Sequence, residues 1–472
     1  MIFRLALAEL RNRPGRFLLL LGGYALGVAV MVVLLAVGEA MLEQSRDKEL
    51  VGGGDVVVVP SGVSAEMLKS GGVASLFLGI DHARFIGREL LESPRGREER
   101  GVTAASPLLD NKQVEMFVGG RRWTAVATGE IPSRARAAGA APPLSSGRWD
   151  DSPADRRWTD PTADELYREM DHFHLPTGAA ARDSTWAEWH YFNVVLAEDR
   201  WVYVTLMVGG MVRVPGRWGG RILMTVREAD GSHRSLTRDL PGTEVSFDTA
   251  SPDLRFGGRA GVRLVNGVYH VTADAGGARV DLRVTPSPRR YFPPTDLGGA
   301  ALVSGYVAPA LHARAEGTVC LPRCERVSGA QAYHDHNWGV WRNVSWEWGS
   351  ASGDDLSLLY GVVRGDSTTT EGLFAYLVDG DGVRGVHRPG PIRVAATQPA
   401  RVAGRTLRVP RRFAFADPDT GLEVSVDVGS THVTDMNRPG RRFFVQMRGT
   451  ATVRERGRVV GRIPGFFETY VD

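Results

Sequence analysis

The chain has 472 residues, more than one ordinary domain, with 43% hydrophobic and 24% charged residues, so it is globular rather than disordered. A formal net charge of +3 is too small to imply a nucleic-acid partner. No Walker loop, dinucleotide fingerprint or G-x-S-x-G elbow is present, which argues against nucleotide use and serine hydrolysis.

Phe17 to Val37 reads FLLLLGGYALGVAVMVVLLAV, 21 residues without a charge. At 1.5 Å per residue such a helix spans a ~30 Å hydrocarbon core. Arg4, Arg11, Arg13 and Arg16 precede it against Glu9 alone, which predicts a cytoplasmic N-terminus and an extracytoplasmic remainder. The run is long for a signal-peptide core and no small-residue cleavage site follows closely. The expectation is therefore an uncleaved single-pass anchor in the cytoplasmic membrane.

The lead-in and helix ALAELRNRPGRFLLLLGGYALGVAVMVVLLAVGEAM resemble the first transmembrane segment of ABC-exporter permeases of the MacB/FtsX type. Gly52–Gly62 (GGGDVVVVPSG) is similar to the first strand of that family's periplasmic core. Val102–Leu109 (VTAASPLL) is similar to its return to the sheet. The resemblance covers about residues 1–150 and implies ABC transporter subunits as partners. The family's later transmembrane helices have no counterpart here. The expected organisation is a lead-in and anchor over 1–45, a partial periplasmic core over 46–130 and a Pro/Ala/Arg/Asp-rich linker over 131–161.

Beyond Ser184 the signals are those of strands. Trp201–Val208, Ile222–Arg227, Ser235–Leu240, Val262–Val265, Tyr269–Ala273 and Val280–Thr285 alternate, with turns at Ala229–Ser232 and Asn266-Gly267. Leu356–Val363, Phe374–Val378, Phe413–Ala416, Leu422–Val428, Arg442–Arg448 and Gly465–Val471 continue the pattern. No long amphipathic helix interrupts it, which predicts sandwich or barrel sheets, two of them, split near Pro309–Thr318.

Three stretches resemble the carotenoid 1,2-hydratase (hydroxyneurosporene synthase, CrtC) and AttH-like group. Trp186-Ala-Glu-Trp-His-Tyr-Phe-Asn193 is similar to its opening strand, Ala332-Tyr-His-Asp-His-Asn-Trp-Gly339 to its central signature, and Gly465-Phe-Phe-Glu-Thr-Tyr470 to its closing strand. The resemblance covers about residues 184–472 and implies a mainly β fold. That fold is two tandem lipocalin-like antiparallel β-barrels, expected at 162–315 and 316–472, preceded by the anchor and a small α+β segment.

The stretch Tyr333 to Gly339 concentrates the polar chemistry. As a strand it places Tyr333, Asp335 and Asn337 on one face and His334, His336 and Trp338 on the other. Two readings stand: a satisfied polar cluster that fixes register, or a site that delivers a proton donor to an apolar ligand. By the resemblance, His336 and Trp338 match an H-x-W pair of the hydratase site, and a Tyr-x-Asp is expected near Tyr360. Tyr360 is followed by Gly361 and Val362, so another acid is needed, with Asp335, Asp354, Asp355 and Glu347 as candidates.

The catalytic candidates are Asp335, His336, Trp338 and Tyr360. The ligand-binding candidates are Tyr333, His334, Asn337, Trp346, Trp348, Glu188, His190 and Tyr191. The expectation sets His336 and Trp338 inside the second barrel beside Tyr360 and a carboxylate. No cofactor is expected. A metal held by His334 and His336 with His190 or Glu188 is weighed and not assigned. His172 and His174 are expected to line the rim.

The function implied is hydration, isomerisation or cyclisation of an apolar isoprenoid or polyketide, a hydro-lyase or isomerase activity. The alternatives are a non-catalytic lipid-binding lipocalin and an accessory partner of an ABC exporter. Cys320 and Cys324, in CLPRC, are expected to bridge outside the cytoplasm.

Overall fold

A computed structural model describes residues 14–45, 56–59, 79–140, 148–197, 200–296, 304–321, 323–342, 344–365, 372–402, 404–436 and 443–471. The Arg-rich lead-in through Arg13 and most of Gly52–Gly62 lie outside these residues. The chain divides into two compact units, Met1–Leu78 with Ala104–Ser152, and Gly79–Thr103 with Pro153–Asp472.

In the first unit, α1 (Pro14–Ser45) contains Leu21–Gly38, a segment long and apolar enough to cross a membrane and buried nowhere by protein. A hairpin follows from β1 (Leu108–Val118) and β2 (Arg121–Glu130). The expected linker contains a short helix, Pro132–Ala137, with proline in its first turn.

The second unit opens with α2 (Ile80–Leu91), which sequence grouped with the periplasmic segment. It packs on the β-rich unit instead. Glu89 Oε2 accepts the Val383 N–H at 3.0 Å, and Arg95 pairs with Asp379 at 2.7 Å. The helix α3 (Ala163–Met170) starts at a capping box in which Thr162 and Glu165 satisfy each other's backbone N–H groups.

The unit is then nearly all strand. The first sheet comprises β3 (Trp186–Ala197), β4 (Arg200–Gly210), β5 (Trp218–Arg227), β6 (His233–Pro241), β7 (Val245–Phe247) and β8 (Leu254–Phe256). It continues through β9 (Ala260–Val265), β10 (Val268–Asp274), β11 (Arg279–Pro286), β12 (Phe292–Asp296), β13 (Ser304–Cys320) and β14 (Cys324–Val340). The second comprises β15 (Ser345–Ser352), β16 (Ser357–Arg364), β17 (Phe374–Asp379), β18 (Gly382–His387) and β19 (Arg393–Val402). It ends with β20 (Arg405–Asp417), β21 (Leu422–Asp435), β22 (Phe443–Glu455) and β23 (Arg458–Val471).

All pairings are antiparallel. The first sheet runs β6-β5-β4-β3-β14-β13-β11-β10-β9-β8-β7, and the second β18-β17-β16-β15-β23-β22-β21-β20-β19. In each, the two strands at the ends of the path are neighbours in sequence, so each sheet curls into a near-closed barrel. The fold is mainly β, two tandem lipocalin-like barrels, as the sequence implied.

The boundary between the barrels differs from the expected 315/316. That point falls inside β13, which pairs along its length with β11 and β14. The sheets change between Val340 and Ser345. The signature stretch therefore belongs to the first barrel. Asn266 and Gly267 both have positive φ, 52° and 76°, as a type I′ hairpin turn demands. Cys320 and Cys324 are directly opposed and disulfide-bonded at the tip of the β13–β14 hairpin.

Each barrel has its own apolar core. Phe192, Leu206, Ile222, Met224, Phe256 and Tyr269 anchor the first, and Tyr360, Phe413, Phe415, Phe443 and Phe467 the second. Each such fully buried side chain contributes about 1.5–3 kcal/mol. Aromatic rings in the second lie flat over a glycine. Gly349 pairs with Tyr360 on one side and Phe467 on the other, and those two rings stack at 6.2 Å above it. A third cluster, with Tyr306, Tyr333, Leu359 and Tyr376, fills the space between the sheets.

Candidate functional site

The central strand β14 pairs residue for residue with β3 from Ala332↔Val194 to Val340↔Trp186. No bulge on that side reorients Asp335, so period-2 alternation holds. His334, His336 and Trp338 face the interior of the first barrel together with Glu188, His190 and Phe192 of β3. Tyr333, Asp335 and Asn337, with Tyr191, face the second sheet.

The inner face gathers an imidazole–carboxylate cluster. Its centre is Asp171, which terminates α3 and is fully buried. Asp171 Oδ2 lies 3.0 Å from His334 Nε2, and Oδ1 lies 2.8 Å from His336 Nδ1. His336 Nε2 is 2.8 Å from Glu188 Oε1. Glu188 also accepts the His174 backbone N–H at 2.7 Å. His334 Nδ1 is 3.0 Å from the Tyr191 carbonyl. Phe192 stacks on His334 at 4.0 Å, His190 on His336 at 4.0 Å and His174 on Trp338 at 3.6 Å.

Both His336 nitrogens face carboxylate oxygens, so the ring carries two protons. Burial opposes that charge, but the hydrogen bonds to Asp171 and Glu188 outweigh it and raise His336 to about 9. Burial also opposes ionised Asp171, yet the neighbouring imidazoles of His334 and His190 hold its carboxyl well below the usual range. His190 is pushed well below the ordinary histidine value, first by burial and then by His336.

The outer face of β14 meets the second barrel. The Tyr333 hydroxyl donates to Asp335 Oδ2 at 2.8 Å and lies 2.6 Å from the Tyr306 hydroxyl. Asn337 Nδ2 donates to Asp335 Oδ1 at 2.9 Å. Burial raises the Asp335 carboxyl to about 8. Across the interface Glu468 of β23 accepts from Trp346 Nε1 at 2.8 Å and from Gln446 Nε2 at 3.2 Å. Its carboxyl is also raised by burial. Trp348 lies edge-on to Tyr306 at 4.3 Å. Phe466 meets Trp201 and Tyr203 at 5.8 and 5.2 Å. A narrow cleft beside these rings is lined by Asn193, Tyr333, Ser350, Arg448 and Phe466.

The expected site is thus divided between two faces of one strand. His336 and Trp338 are inside a barrel with carboxylates in reach, as expected, but in the first barrel rather than the second. The reason is that β14 hydrogen-bonds to β3 and β13, so its inner face completes the first core. Glu188, His190 and His334 join them there. Asp335, Tyr333, Asn337, Tyr191, Trp346 and Trp348 collect at the inter-barrel face. Tyr360 joins neither set. It lies on β16, whose Leu359 faces the seam, but its own side chain points to the opposite side, into the second barrel, with its ring among Phe413, Phe415 and Phe467.

Among the other candidate acids, Asp354 pairs with Arg314 on the surface and Glu347 with Arg364. Sequence reasoning missed Asp171, Tyr306 and the placement of Glu468. Asp171 directly precedes the His172–His174 pair, and Glu468 stands in the closing-strand motif, so both were visible as residues but not as neighbours. His174 sits at the rim, half-buried and bonded to Glu188 at 3.2 Å.

A scan against protein-family models finds no match, and a comparison with curated proteins finds none. Among solved structures, the chain is similar to an AttH protein from Nitrosomonas europaea. The identity is 17% and the TM-score 0.46, over 64% of this chain and 98% of that one. It is similar also to CghA, alone and with Sch210972, at 16% identity in each case. The TM-scores are 0.42 and 0.41, over 61% of this chain and 89% of that one.

Proposed function

We propose that this chain binds an apolar isoprenoid or polyketide between its two barrels and transforms it by acid-catalysed hydration, isomerisation or cyclisation. The observation that carries the reading is the inter-barrel face itself. Two buried carboxyl groups, Asp335 and Glu468, stand there among indole and phenol rings, and Tyr333, which lines the cleft, donates its hydroxyl to Asp335. Protonating an isolated C=C bond is difficult because it creates a carbocation. A desolvated carboxyl kept in its acid form, as burial favours for Glu468, is a suitable donor. Its proton adds to one alkene carbon. Trp346, Trp348 and Tyr306 then offer ring faces to the cation on the other. Water capture returns a proton to the carboxylate and gives the alcohol. Loss of a neighbouring proton to the carboxylate gives the isomer, and attack by a second C=C gives a ring whose new cation then loses a proton to the carboxylate.

The N-terminal helix supports a tethered, extracytoplasmic placement close to an apolar substrate. The resemblance of residues 1–150 to MacB-type permeases supports an ABC exporter subunit as a partner. The position of Tyr360, away from both faces, favours the second reading, a lipid-binding protein without turnover.

The test is mass spectrometry of lipid extracts from cells expressing the wild type, E468Q or D335N. A product isomeric with its precursor, or heavier by one water, is expected from the wild type and absent from E468Q. A hydrophobic ligand that co-purifies unchanged with all three proteins supports the binding reading. No difference and no ligand refutes both.

A further inference from the structure

We infer that Asp171, His190 and His336 form a binding site for a divalent transition-metal ion, Zn²⁺ by preference, in the core of the first barrel. This is independent of the chemistry proposed between the barrels. The three residues each present a ligand atom within 4.8 Å of the others, and all three are buried. His190 supplies the decisive observation. It is 1% exposed, and its Nδ1 has no hydrogen-bond partner among the described residues. It is directed at Asp171 Oδ1 from 3.8 Å, too far for a hydrogen bond. An orphaned buried ring nitrogen costs about 1–3 kcal/mol, whereas both Asp171 oxygens and both His336 nitrogens beside it are engaged.

Ligand atoms held ~2.0–2.1 Å from a tetrahedral Zn²⁺ stand ~3.3 Å apart. The Asp171 Oδ1 to His336 Nδ1 and Asp171 Oδ1 to His190 Nδ1 separations, 2.8 and 3.8 Å, straddle that spacing. An ion held there would replace the hydrogen-bonded proton on His336 Nδ1. Two imidazole nitrogens and one carboxylate oxygen suit Zn²⁺ or Fe²⁺ and disfavour Mg²⁺ and Ca²⁺.

The surroundings match what orients metal ligands. His336 Nε2 is held by Glu188, which fixes Nδ1 as the coordinating atom. His334 engages the second oxygen of Asp171. A second set, His174, Glu188 and His336, has the same spacing and lies one step nearer the surface, where His174 is 22% exposed.

The experiment uses the full chain in detergent, stripped with chelator and titrated with Zn²⁺ alone, then with Co²⁺ as a spectroscopic probe. Expected are one tightly bound equivalent, a Zn²⁺-dependent rise in melting temperature and the visible bands of a low-coordinate Co²⁺ site. X-ray absorption should count two imidazole ligands. H190Q should lose the melting shift and weaken binding at least tenfold, and E188Q should weaken it 10–100-fold. Stoichiometric binding unchanged in H190Q, or no Zn²⁺ retained by the wild type, overturns the inference. If H190Q fails to fold, the ligand count in the wild type decides, and fewer than two imidazoles refutes it.

Discussion

Gly349→Ala offers a sharp test of the packing of the second barrel. In an ordinary strand this change stabilises by ~0.5–1 kcal/mol, because glycine loses more freedom on folding. Here a Cβ would lie 2.6 Å from Phe467 Cδ1 and closer still to the edge of the Tyr360 ring. Neither ring can withdraw. Tyr360 is 1% exposed and Phe467 is fully buried, and both are hemmed in by Phe413. Overpacking of this kind costs ~1–3 kcal/mol, typically forcing off-rotamer rings or a backbone shift. The net expectation is destabilisation by about 1–2 kcal/mol, a fall of roughly 2–8 °C in the transition of a barrel this size. Scanning calorimetry with tryptophan fluorescence measures it. G349A combined with Y360L should recover part of the loss, since the two side chains share one space. An unchanged or raised transition would show that the rings do not lie over the glycine, and the register of β15 with β16 and β23 would be wrong.

Three further outcomes are expected. His312 and His432 are both held down to about 4 by burial, against an unfolded value near 6.5. Between those values the unfolded chain binds protons that the folded chain refuses. Their contribution is therefore full above about pH 6.5 and is lost as the pH drops toward 4, against the opposite drift from the raised Asp335 and His336; the urea midpoint should drop less, or rise more, between pH 7.5 and 5 in H432Q than in the wild type. The Cys320–Cys324 bridge closes so short a loop that reducing it should cost no more than ~2 kcal/mol, without loss of fold; alkylation of the unreduced, denatured protein should label neither thiol. Thr162→Ala removes the capping box of α3 and should cost about 1 kcal/mol by urea titration, with Ser restoring most of it.

Local features of the chain were legible in its sequence, and long-range ones were not. Asn266-Gly267 announced its hairpin because only left-handed backbone fits that turn. Alternation over Tyr333–Trp338 gave the division of the motif between two faces, since a strand leaves no other choice. What alternation cannot say is which strand lies alongside. The motif was assigned to the second barrel, whereas β14 pairs with β3, more than 130 residues earlier, and this moved Tyr360 out of reach. Asp171 escaped notice for the same reason. Nothing local distinguishes it from a helix-terminating aspartate, and its meaning comes from two histidines 163 and 165 positions later. Glu468 gains its role only when the last strand inserts between β15 and β22.

That insertion bears on how the molecule is made. Each barrel is sealed by a strand synthesised late: β14 for the first and β23 for the second. During translation at ~5–20 residues per second, the 165 positions between Asp171 and His336 take roughly 10–30 s to emerge. Through that interval β3 carries a bare edge, and its Glu188 and His190 lack their partners. Topology of this kind, dominated by distant pairings, folds slowly and leaves strand edges open to other chains. Nascent chains arrested before residue 340 should therefore be protease-sensitive across β3 to β6, and protection should appear abruptly once β14 has cleared the ribosome.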